Sequence, residues 1–303
     1  MLTTQAAAFL AEIDALGRPP IWEVPVQRAR AEFDDSAAAL FGEAPPVAAV
    51  TDLLAADVPV RIYAPTEAPT PGALVYLHGG GWVLGSLTSH DSLCRALAAR
   101  SGQTVVSAGY RLAPEHPFPA AIEDAWSVTQ WTAQRWQSLA VGGDSAGGQL
   151  AASVALRARD AGLALRLQVL IYPVTNHDFA TASYEEFDSF TALDRTEMRW
   201  FWETYLGGSG RLPVTDHSPL RAGSFSGLAP ALVITAEFDP LRDEGEAYAE
   251  RLRAAGVPTV LTRYPGLFHG FIRMPARIDE AGAAIEQVAR AVGDACRPPQ
   301  ATL

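Results

Sequence analysis

Residues 139–156 read LAVGGDSAGGQLAASVAL, and the fold class follows from this stretch. It contains G-x-S-x-G as GDSAG at 143–147, a pattern whose chance count in a chain of this composition is roughly 0.1, so the context must decide. Apolar residues 139–141 predict a strand entering the pattern, and residues 149–159 predict a helix leaving it. Such an elbow holds its serine, here Ser145, in a strained conformation with Oγ exposed, and the flanking glycines supply the room.

Ser145 is a candidate nucleophile, although an isolated serine after a glycine turn is more often a helix N-cap. A serine hydroxyl needs a general base, and that base needs an acid to orient it. Among the six histidines, His269 follows a predicted strand within YPGLFHGF at 264–271, where glycines favour a loop. In this kind of fold the base comes after the elbow in chain order. We therefore predict that His269 is the base.

The acid is expected in a loop after a strand between the nucleophile and the base, and ALVITAEFDPLRDE at 231–244 fits that position. Its carboxylates are Glu237, Asp239, Asp243 and Glu244. We predict Asp239, because Pro240 favours an extended conformation at the preceding residue. Asp243 and Glu244 are expected to cap the following helix.

A glycine run follows another predicted strand in LVYLHGGGWVLGS at 74–86. A flexible loop and a phosphate-cradling loop are the alternatives, and the absence of lysine argues against phosphate. Glycines let backbone N–H groups approach a tetrahedral oxyanion without obstruction by side chains. We expect Gly79, Gly80 and the N–H of Ala146 to form the oxyanion hole.

The composition is that of a globular protein, with 303 residues of which 49% are hydrophobic and 19% charged. The 23 basic and 34 acidic residues give a net charge of −11, which repels phosphate backbones and anionic headgroups. We therefore expect no nucleic acid and no membrane as partners. All 23 basic residues are arginine, which excludes Schiff-base, pyridoxal phosphate and Ser-Lys mechanisms because these require an amine.

Two cysteines, Cys94 and Cys296, form no CxxC pattern and no metal-ligand spacing. We therefore expect two reduced thiols, no metal and no cofactor. The segment 1–17 lacks a basic region and is interrupted by acidic residues, which argues against a signal peptide. No apolar run approaches the ~20 residues that span a bilayer. These features predict a cytoplasmic protein.

From about residue 57, short apolar runs alternate with helical stretches, which is typical of a sheet that becomes parallel and is covered on both faces. The predicted strands are Val58–Tyr63, Ala73–Leu77, Thr104–Ala108, Leu139–Gly142, Leu167–Tyr172, Ala231–Ala236 and Thr259–Tyr264. The predicted helices are about Ser89–Arg100, Pro119–Gln134, Gly147–Ala161, Glu244–Ala255 and Glu280–Ala295. This order predicts a doubly wound α/β fold.

Two segments depart from the alternation. Residues 1 to about 45 are rich in alanine and interrupted by prolines, so we predict short helices there. Residues 178 to about 212 carry many aromatic side chains and no convincing strand. We predict a helical insertion that lies over the sheet.

Five motifs occur in a fixed order: HGGGW at 78–82, YRLAPEHPFPAAIED at 110–124, GDSAGG at 143–148, DPLRDE at 239–244 and HGF at 269–271. With these motifs, the chain resembles the hormone-sensitive-lipase-like branch, family IV, of the α/β-hydrolases from roughly residue 55 to 290. The resemblance implies an eight-stranded, mostly parallel sheet flanked by helices, a helical cap and carboxylesterase activity. It also implies a triad of Ser145, Asp239 and His269 with Gly79 and Gly80 in the oxyanion hole.

The resemblance further implies a single α/β-hydrolase domain over 1–303. Its cap comprises about 1–45 and 178–212, and its catalytic core comprises about 55–177 and 213–297. Because the catalytic groups are indifferent to chain length, cap and loop aromatics are expected to select the substrate. The expected substrate-binding residues are Trp82, Trp200, Phe201, Trp202 and Tyr205.

We expect a cofactor-free serine esterase that acts on small, uncharged esters with acyl chains of roughly C2 to C8. An amidase or lactonase that uses the same triad is the first alternative. A non-catalytic small-ligand binding protein is the second, and it is disfavoured because His269 is retained. A homo-oligomer is left open.

Overall fold

The computed structural model describes residues 1–66, 71–208 and 214–297. Its centre is a sheet whose strands lie in the order β1-β2-β4-β3-β5-β6-β7-β8. The strands are β1 (Ala49–Ala55), β2 (Val58–Ala64), β3 (Gly72–Leu77), β4 (Thr104–Ala108), β5 (Ser138–Asp144), β6 (Leu167–Ile171), β7 (Ala231–Phe238) and β8 (Thr259–Phe268). β2 is antiparallel to both β1 and β4, and all other neighbouring strands are parallel.

The helices cover both faces of this sheet. They are α1 (Thr4–Ala15), α2 (Val26–Phe41), α3 (Asp91–Ser101), α4 (Ala120–Ala133), α5 (Ala146–Asp160), α6 (Ala182–Glu186), α7 (Arg195–Leu206), α8 (Val214–His217), α9 (Arg242–Ala254) and α10 (Asp279–Cys296). α1, α3 and α10 pack into one apolar core, and α4, α5 and α9 pack into the other. Every residue of β3, β4, β5 and β6 is buried, as expected for strands covered on both faces. The predicted α/β-hydrolase fold class is confirmed.

β1 is the strand that sequence periodicity did not predict. Its first four residues are exposed, and among the described strands it pairs only with β2 at the sheet edge, so it carries little apolar signal. The two strands form a hairpin in which Ala55 faces Val58 across a two-residue turn. The turn residues Ala56 and Asp57 have φ of 49° and 67°, values for which hairpins usually use Asn-Gly. The usual sequence mark of this turn is therefore missing.

The parallel strands bring their carboxyl ends to one edge of the sheet, where ligands of such folds bind. The glycine run follows β3, Ser145 follows β5, Asp239 follows β7 and His269 follows β8. Residues far apart in sequence therefore share one site, because parallel strands must all end on the same side.

The N-terminal segment and the insertion both reach this edge. Arg30 of α2 donates hydrogen bonds of 2.8 Å to the carbonyls of Val83 and Ala113, beside the glycine run. Phe201 of α7 lies directly against Gly81. Positions 209–212 of the predicted insertion, with 67–70, 213 and 298–303, lie outside the described residues. Within the described ranges, none of the helices has the length and apolar character required to cross a bilayer.

Candidate active site

Ser145 occupies a tight turn between β5 and α5, with φ of 54° and ψ of −119°. A positive φ is strained for a residue with a side chain, and such strain clusters at functional sites. Gly143 and Gly147 both pack on the carbonyl of Leu77, where an added Cβ would overlap that oxygen. Only glycine fits at these two positions, as the sequence analysis expected.

The three predicted triad side chains meet above this turn. Ser145 Oγ lies 2.9 Å from His269 Nε2, and His269 Nδ1 lies 2.8 Å from Asp239 Oδ2. Asp239 is fully buried, and its other oxygen accepts a hydrogen bond of 2.8 Å from the Leu241 N–H. The carboxylate is thereby fixed on both oxygens, so it can hold one orientation of the imidazole.

The expectation that Asp243 and Glu244 cap α9 is wrong. Both lie in the first turn of the helix, but their carboxylates accept hydrogen bonds from distant backbone. Asp243 binds the Ser183 N–H at 2.8 Å, and Glu244 binds the Thr175 N–H at 2.6 Å. These long-range partners attach the start of the insertion to the sheet edge and take precedence over local capping. Burial raises the pKa of Glu244 well above its ordinary value, opposed by the hydrogen bonds from Thr175 and Asn176.

The glycine run forms a loop whose Gly79 lies against Asp144, the residue before Ser145. The structure does not support the predicted role of Gly79 in the oxyanion hole. The Gly79 N–H donates a hydrogen bond of 3.0 Å to Asp144 Oδ1, so it is not free for an oxyanion. The N–H groups of Gly80 and Gly81 have no acceptor among the described residues. The glycine motif alone does not show which N–H group already has a hydrogen-bond acceptor, because that acceptor lies 65 positions further along the chain.

Asp144, directly before the serine, is the centre of a buried polar cluster that sequence analysis did not single out. Besides Gly79, its carboxylate accepts a hydrogen bond of 2.8 Å from the Tyr76 hydroxyl, and it lies 3.2 Å from His90 Nε2. Burial raises the pKa of Asp144, but His90, Arg273 and Tyr76 outweigh burial and hold the pKa below its ordinary value.

The predicted pocket aromatics form a wall beside the glycine loop. Trp82, Trp202 and Tyr205 are fully buried, and the Trp82 ring stacks on Tyr205 at a centroid distance of 4.3 Å. Phe201 lies against Gly81, and Trp200 packs on Phe201 at 5.0 Å. Trp82 also donates its indole N–H, over 2.9 Å, to Gln149 on α5. The insertion is therefore joined to the loop and to the helix that follows the serine.

Glu197 on α7 is a further side chain of the site region that the sequence analysis missed. It lies one turn before Phe201, on the face of the helix that covers the glycine loop. Burial and the neighbouring Asp194 carboxylate raise the pKa of Glu197 to about 7, and the charge of His269 opposes this shift. An acidic residue directly before the aromatic run MRWFW at 198–202 was the available signal.

A sequence profile described as the alpha/beta hydrolase fold matches residues 74–273, which contain the glycine loop, the elbow and the three triad positions. The chain belongs to the α/β-hydrolase superfamily. The resemblance drawn from the five motifs is confirmed.

Similar proteins cover between 78% and 97% of this chain. Ethyl acetate hydrolase of Pseudomonas putida is 38% identical over 96% of this chain and 98% of its own length. Carboxylesterase NlhH of Mycobacterium tuberculosis is 40% identical over 78% of this chain and 79% of its own. A crystal structure of an esterase from Pyrobaculum calidifontis is 38% identical, with a TM-score of 0.89 over 97% of this chain and 99% of that one.

Proposed function

We propose that this carboxylic ester hydrolase cleaves short- to medium-chain acyl esters through an acyl-enzyme formed on Ser145. The observation that carries the proposal is the continuous hydrogen-bonded chain from Asp239 through His269 to the Ser145 hydroxyl, with links of 2.8 and 2.9 Å. These are the distances at which a base can take the serine proton and an acid can orient the base.

In acylation, Ser145 Oγ attacks the ester carbonyl while its proton passes to His269 Nε2. The π electrons of the carbonyl move onto its oxygen, which becomes the tetrahedral oxyanion. When the carbonyl re-forms, the bond to the alcohol oxygen breaks, and that oxygen takes the proton from His269. Deacylation repeats these steps with water as the nucleophile and releases the acid. Asp239 stays ionised and stabilises the imidazolium.

For the oxyanion hole we propose the N–H groups of Gly80, Gly81 and Ala146. Gly80 and Gly81 have unpaired N–H groups in the described structure, and Ala146 is the first residue of α5. The first N–H groups of a helix have no acceptor within the helix, and its dipole favours negative charge there. These donors are fixed before the reaction, so they stabilise the developing charge without reorganisation.

We propose that a cap of residues about 1–45 and 178–212 limits the acyl chain. Phe201 against Gly81 and Arg30 beside Val83 support this, because both segments cover the loop that faces the serine. Each buried methylene contributes about 0.8 kcal/mol until the pocket is full, after which overpacking opposes binding. We therefore propose an optimum of roughly C2 to C8.

We further propose a cytoplasmic location and an uncharged ester as substrate, with no nucleic-acid or membrane partner. The two free, buried cysteines support a reducing compartment, and the net charge of −11 disfavours anionic partners.

The experiment is turnover of p-nitrophenyl esters from C2 to C16 by the wild type and by Ser145→Ala. We expect at least a ~10³-fold loss of kcat in Ser145→Ala with unchanged folding, because the elbow geometry depends on its glycines. A variant with one tenth of wild-type activity would refute the mechanism. Matched amides and lactones test the alternative leaving groups, and binding without turnover in the wild type would indicate a ligand-binding protein.

The acyl series also tests the aromatic wall when it is repeated in Trp200→Ala, Phe201→Ala and Trp202→Ala. We expect at least one variant to accept longer chains, because truncation of a ring enlarges the space beside the glycine loop. An optimum at C16 in the wild type would contradict the size limit. An unmoved optimum in all three variants would show that the rings only pack the insertion onto the sheet.

A further inference from the structure

The oxyanion loop and the nucleophile elbow are joined through one carboxylate. Asp144 Oδ1 accepts the Gly79 N–H at 3.0 Å, and Asp144 is the residue immediately before Ser145. The fit is close, because a Cβ on Gly79 would overlap the same carboxylate. Any displacement of the Asp144 side chain must therefore move the glycine loop or break this hydrogen bond.

Two further donors hold the carboxylate in place. The Tyr76 hydroxyl donates to Oδ1 at 2.8 Å, and His90 Nε2 hydrogen-bonds the other oxygen, Oδ2, at 3.4 Å. His90 is buried, and its Nδ1 lies 2.9 Å from Ser89 Oγ, which fixes the ring. Burial lowers the pKa of His90, opposed by Asp144. A carboxylate can only accept, so Nε2 is the donor in the hydrogen bond to Asp144.

The second side of the loop is held independently. The Tyr110 hydroxyl donates to the His78 carbonyl at 2.7 Å, and the His78 ring stacks on Tyr110 at 4.3 Å. His78 Nδ1 lies 2.9 Å from the Gly79 carbonyl. Gly79 is therefore fixed at its N–H by Asp144 and at its carbonyl by His78. The Gly79 carbonyl shares its peptide group with the Gly80 N–H, and the following peptide group carries the Gly81 N–H, so both proposed oxyanion donors lie next to the fixed residue.

We propose that Asp144 is a positioning residue for the oxyanion hole, in which its bond to Gly79 sets where the N–H groups of Gly80 and Gly81 stand relative to Ser145. The proposal rests on the proposed acyl-enzyme function. Oxyanion donors must lie about 2.7–3.1 Å from the charged oxygen, so a small shift of the loop weakens them. The effect falls on the tetrahedral state, because the planar carbonyl of the substrate does not require these contacts in the same position.

The test compares Asp144→Ala, which removes the acceptor of the Gly79 N–H, with the wild type in kcat, KM and inhibition by an aliphatic trifluoromethyl ketone. Ser145 adds to that ketone, its proton passes to His269, and the carbonyl electrons form an oxyanion like that of the reaction. We expect kcat to fall about 10²-fold with KM within about threefold, as for loss of an oxyanion donor. The inhibition constant should rise by the same factor as kcat/KM falls.

A second pair of variants keeps the test decisive if Asp144→Ala does not fold. Tyr76→Phe removes one hydrogen bond from Asp144, whereas Tyr63→Phe removes a matched bond of 3.0 Å from a buried tyrosine to Asp91. We expect about a 5-fold loss of kcat and an equal loss of inhibitor affinity in Tyr76→Phe, on the scale of about 1 kcal/mol per hydrogen bond. Tyr63→Phe should retain at least half of kcat.

The proposal is overturned if folded Asp144→Ala keeps wild-type kcat and inhibitor affinity, or if it raises KM alone. Equal losses in Tyr76→Phe and Tyr63→Phe would also overturn it, because they would indicate general destabilisation. These outcomes are distinct from a failure of the proposed function, which is measured by activity that survives in Ser145→Ala.

Discussion

Two hydrogen-bonded networks, each made of one serine, one histidine and one aspartate side chain, lie beside the nucleophile elbow. They differ in the surroundings of the serine. In the first, Ser145 Oγ lies 2.9 Å from His269 Nε2, and Nδ1 of that ring lies 2.8 Å from Asp239. Ser145 has a φ of 54°, and its Oγ has no other hydrogen-bond partner in the described part of the chain.

The second network includes Asp144, the residue before Ser145, and the two nitrogens of its histidine ring have exchanged roles: Nδ1 contacts the serine and Nε2 contacts the aspartate. Ser89 Oγ lies 2.9 Å from His90 Nδ1, and Nε2 lies 3.2 Å from Asp144. Ser89 Oγ also accepts the Ser86 N–H at 2.8 Å and lies 3.0 Å from the Ser86 carbonyl. A chain of serine, histidine and aspartate therefore does not by itself define a nucleophile. Ser145 differs from Ser89 in two respects: its hydroxyl has no hydrogen-bond partner other than His269 in the described structure, and it lies on a strained turn next to the proposed N–H donors.

The largest expected difference is between the two serines. Ser145→Ala should lose at least ~10³-fold in kcat, whereas Ser89→Ala should lose less than about 10-fold because it removes only a support of the His90 ring. Steady-state kinetics with a p-nitrophenyl ester measures both. Comparable losses in the two variants would mean that the buried chain takes part in the chemistry.

The acids give the next test. Asp239→Asn should reduce kcat at least about 10²-fold more than Asp243→Asn, because only Asp239 contacts the imidazole and fixes its tautomer. Asp243 is the matched control, since its carboxylate binds backbone and Arg242 in the same region of the chain. If the two variants lose activity equally, Asp239 is not the orienting acid.

The stability of the protein should also depend on pH through the buried His78. Burial lowers the pKa of His78 to about 3, with His90 adding to the effect, whereas the unfolded chain has the ordinary value of 6.5. Above pH 6.5, His78 is neutral in both states and does not reduce the free energy of unfolding. Below pH 6.5 the free energy of unfolding decreases, because the unfolded state then binds a proton that the folded state does not. The loss amounts to about 2 kcal/mol between pH 7 and pH 5.

Urea unfolding of His78→Gln at several pH values measures this term. The free energy of unfolding of the variant should decrease less than that of the wild type between pH 7 and pH 5. His116→Gln, which replaces an exposed histidine, is the control for the substitution itself. Parallel pH profiles for His78→Gln and the wild type would contradict the prediction.

The smallest effect concerns Glu197 on α7, where burial and the Asp194 carboxylate raise the folded-state pKa to about 7 from 4.5. Because the pKa is raised in the folded state, the contribution of Glu197 to the free energy of unfolding is fully present below pH 4.5. That contribution is lost as the pH rises through 7. Glu197→Gln should therefore be more stable than the wild type at pH 8, by about 1 kcal/mol for a partly buried group, and equal to it at pH 4.5. Melting temperatures at the two pH values test this, and a gain that is the same at both would refute it.

Sequence patterns predicted most of the core because its strands are continuous apolar runs bounded by glycine and proline. Seven strands and the positions of Ser145, Asp239 and His269 at their ends followed from this pattern. β1 was missed because its side chains are mostly exposed and its turn uses Ala56 and Asp57. A strand whose position is set mainly by backbone pairing leaves little trace in hydrophobicity.

The details of the site depend on partners that are distant in sequence. The occupied Gly79 N–H is visible only once Asp144 is placed beside it, and Asp243 binds Ser183 of the insertion in the same unpredictable way. Local rules assign each group to its nearest neighbour in the chain. The folded chain instead offers each polar group the acceptors of several strands.

The triad depends on the outermost parallel strand. β8 has ten residues, borders only β7 in the described structure, and leads directly into His269. The N-terminal helix holds this strand, since the Thr3 N–H donates to the Gly266 carbonyl at 3.0 Å and Phe9 stacks on Phe268. Edge segments open locally before a whole domain unfolds.

Heat should therefore inactivate this protein before it melts. As the sheet edge frays, the base leaves the serine while the central strands keep their structure. We expect residual activity to fall at a lower temperature than the circular-dichroism signal, and Phe9→Ala to widen the gap; coincident curves in both proteins would contradict this. A helix with no part in the chemistry thus sets the upper temperature at which the chemistry persists.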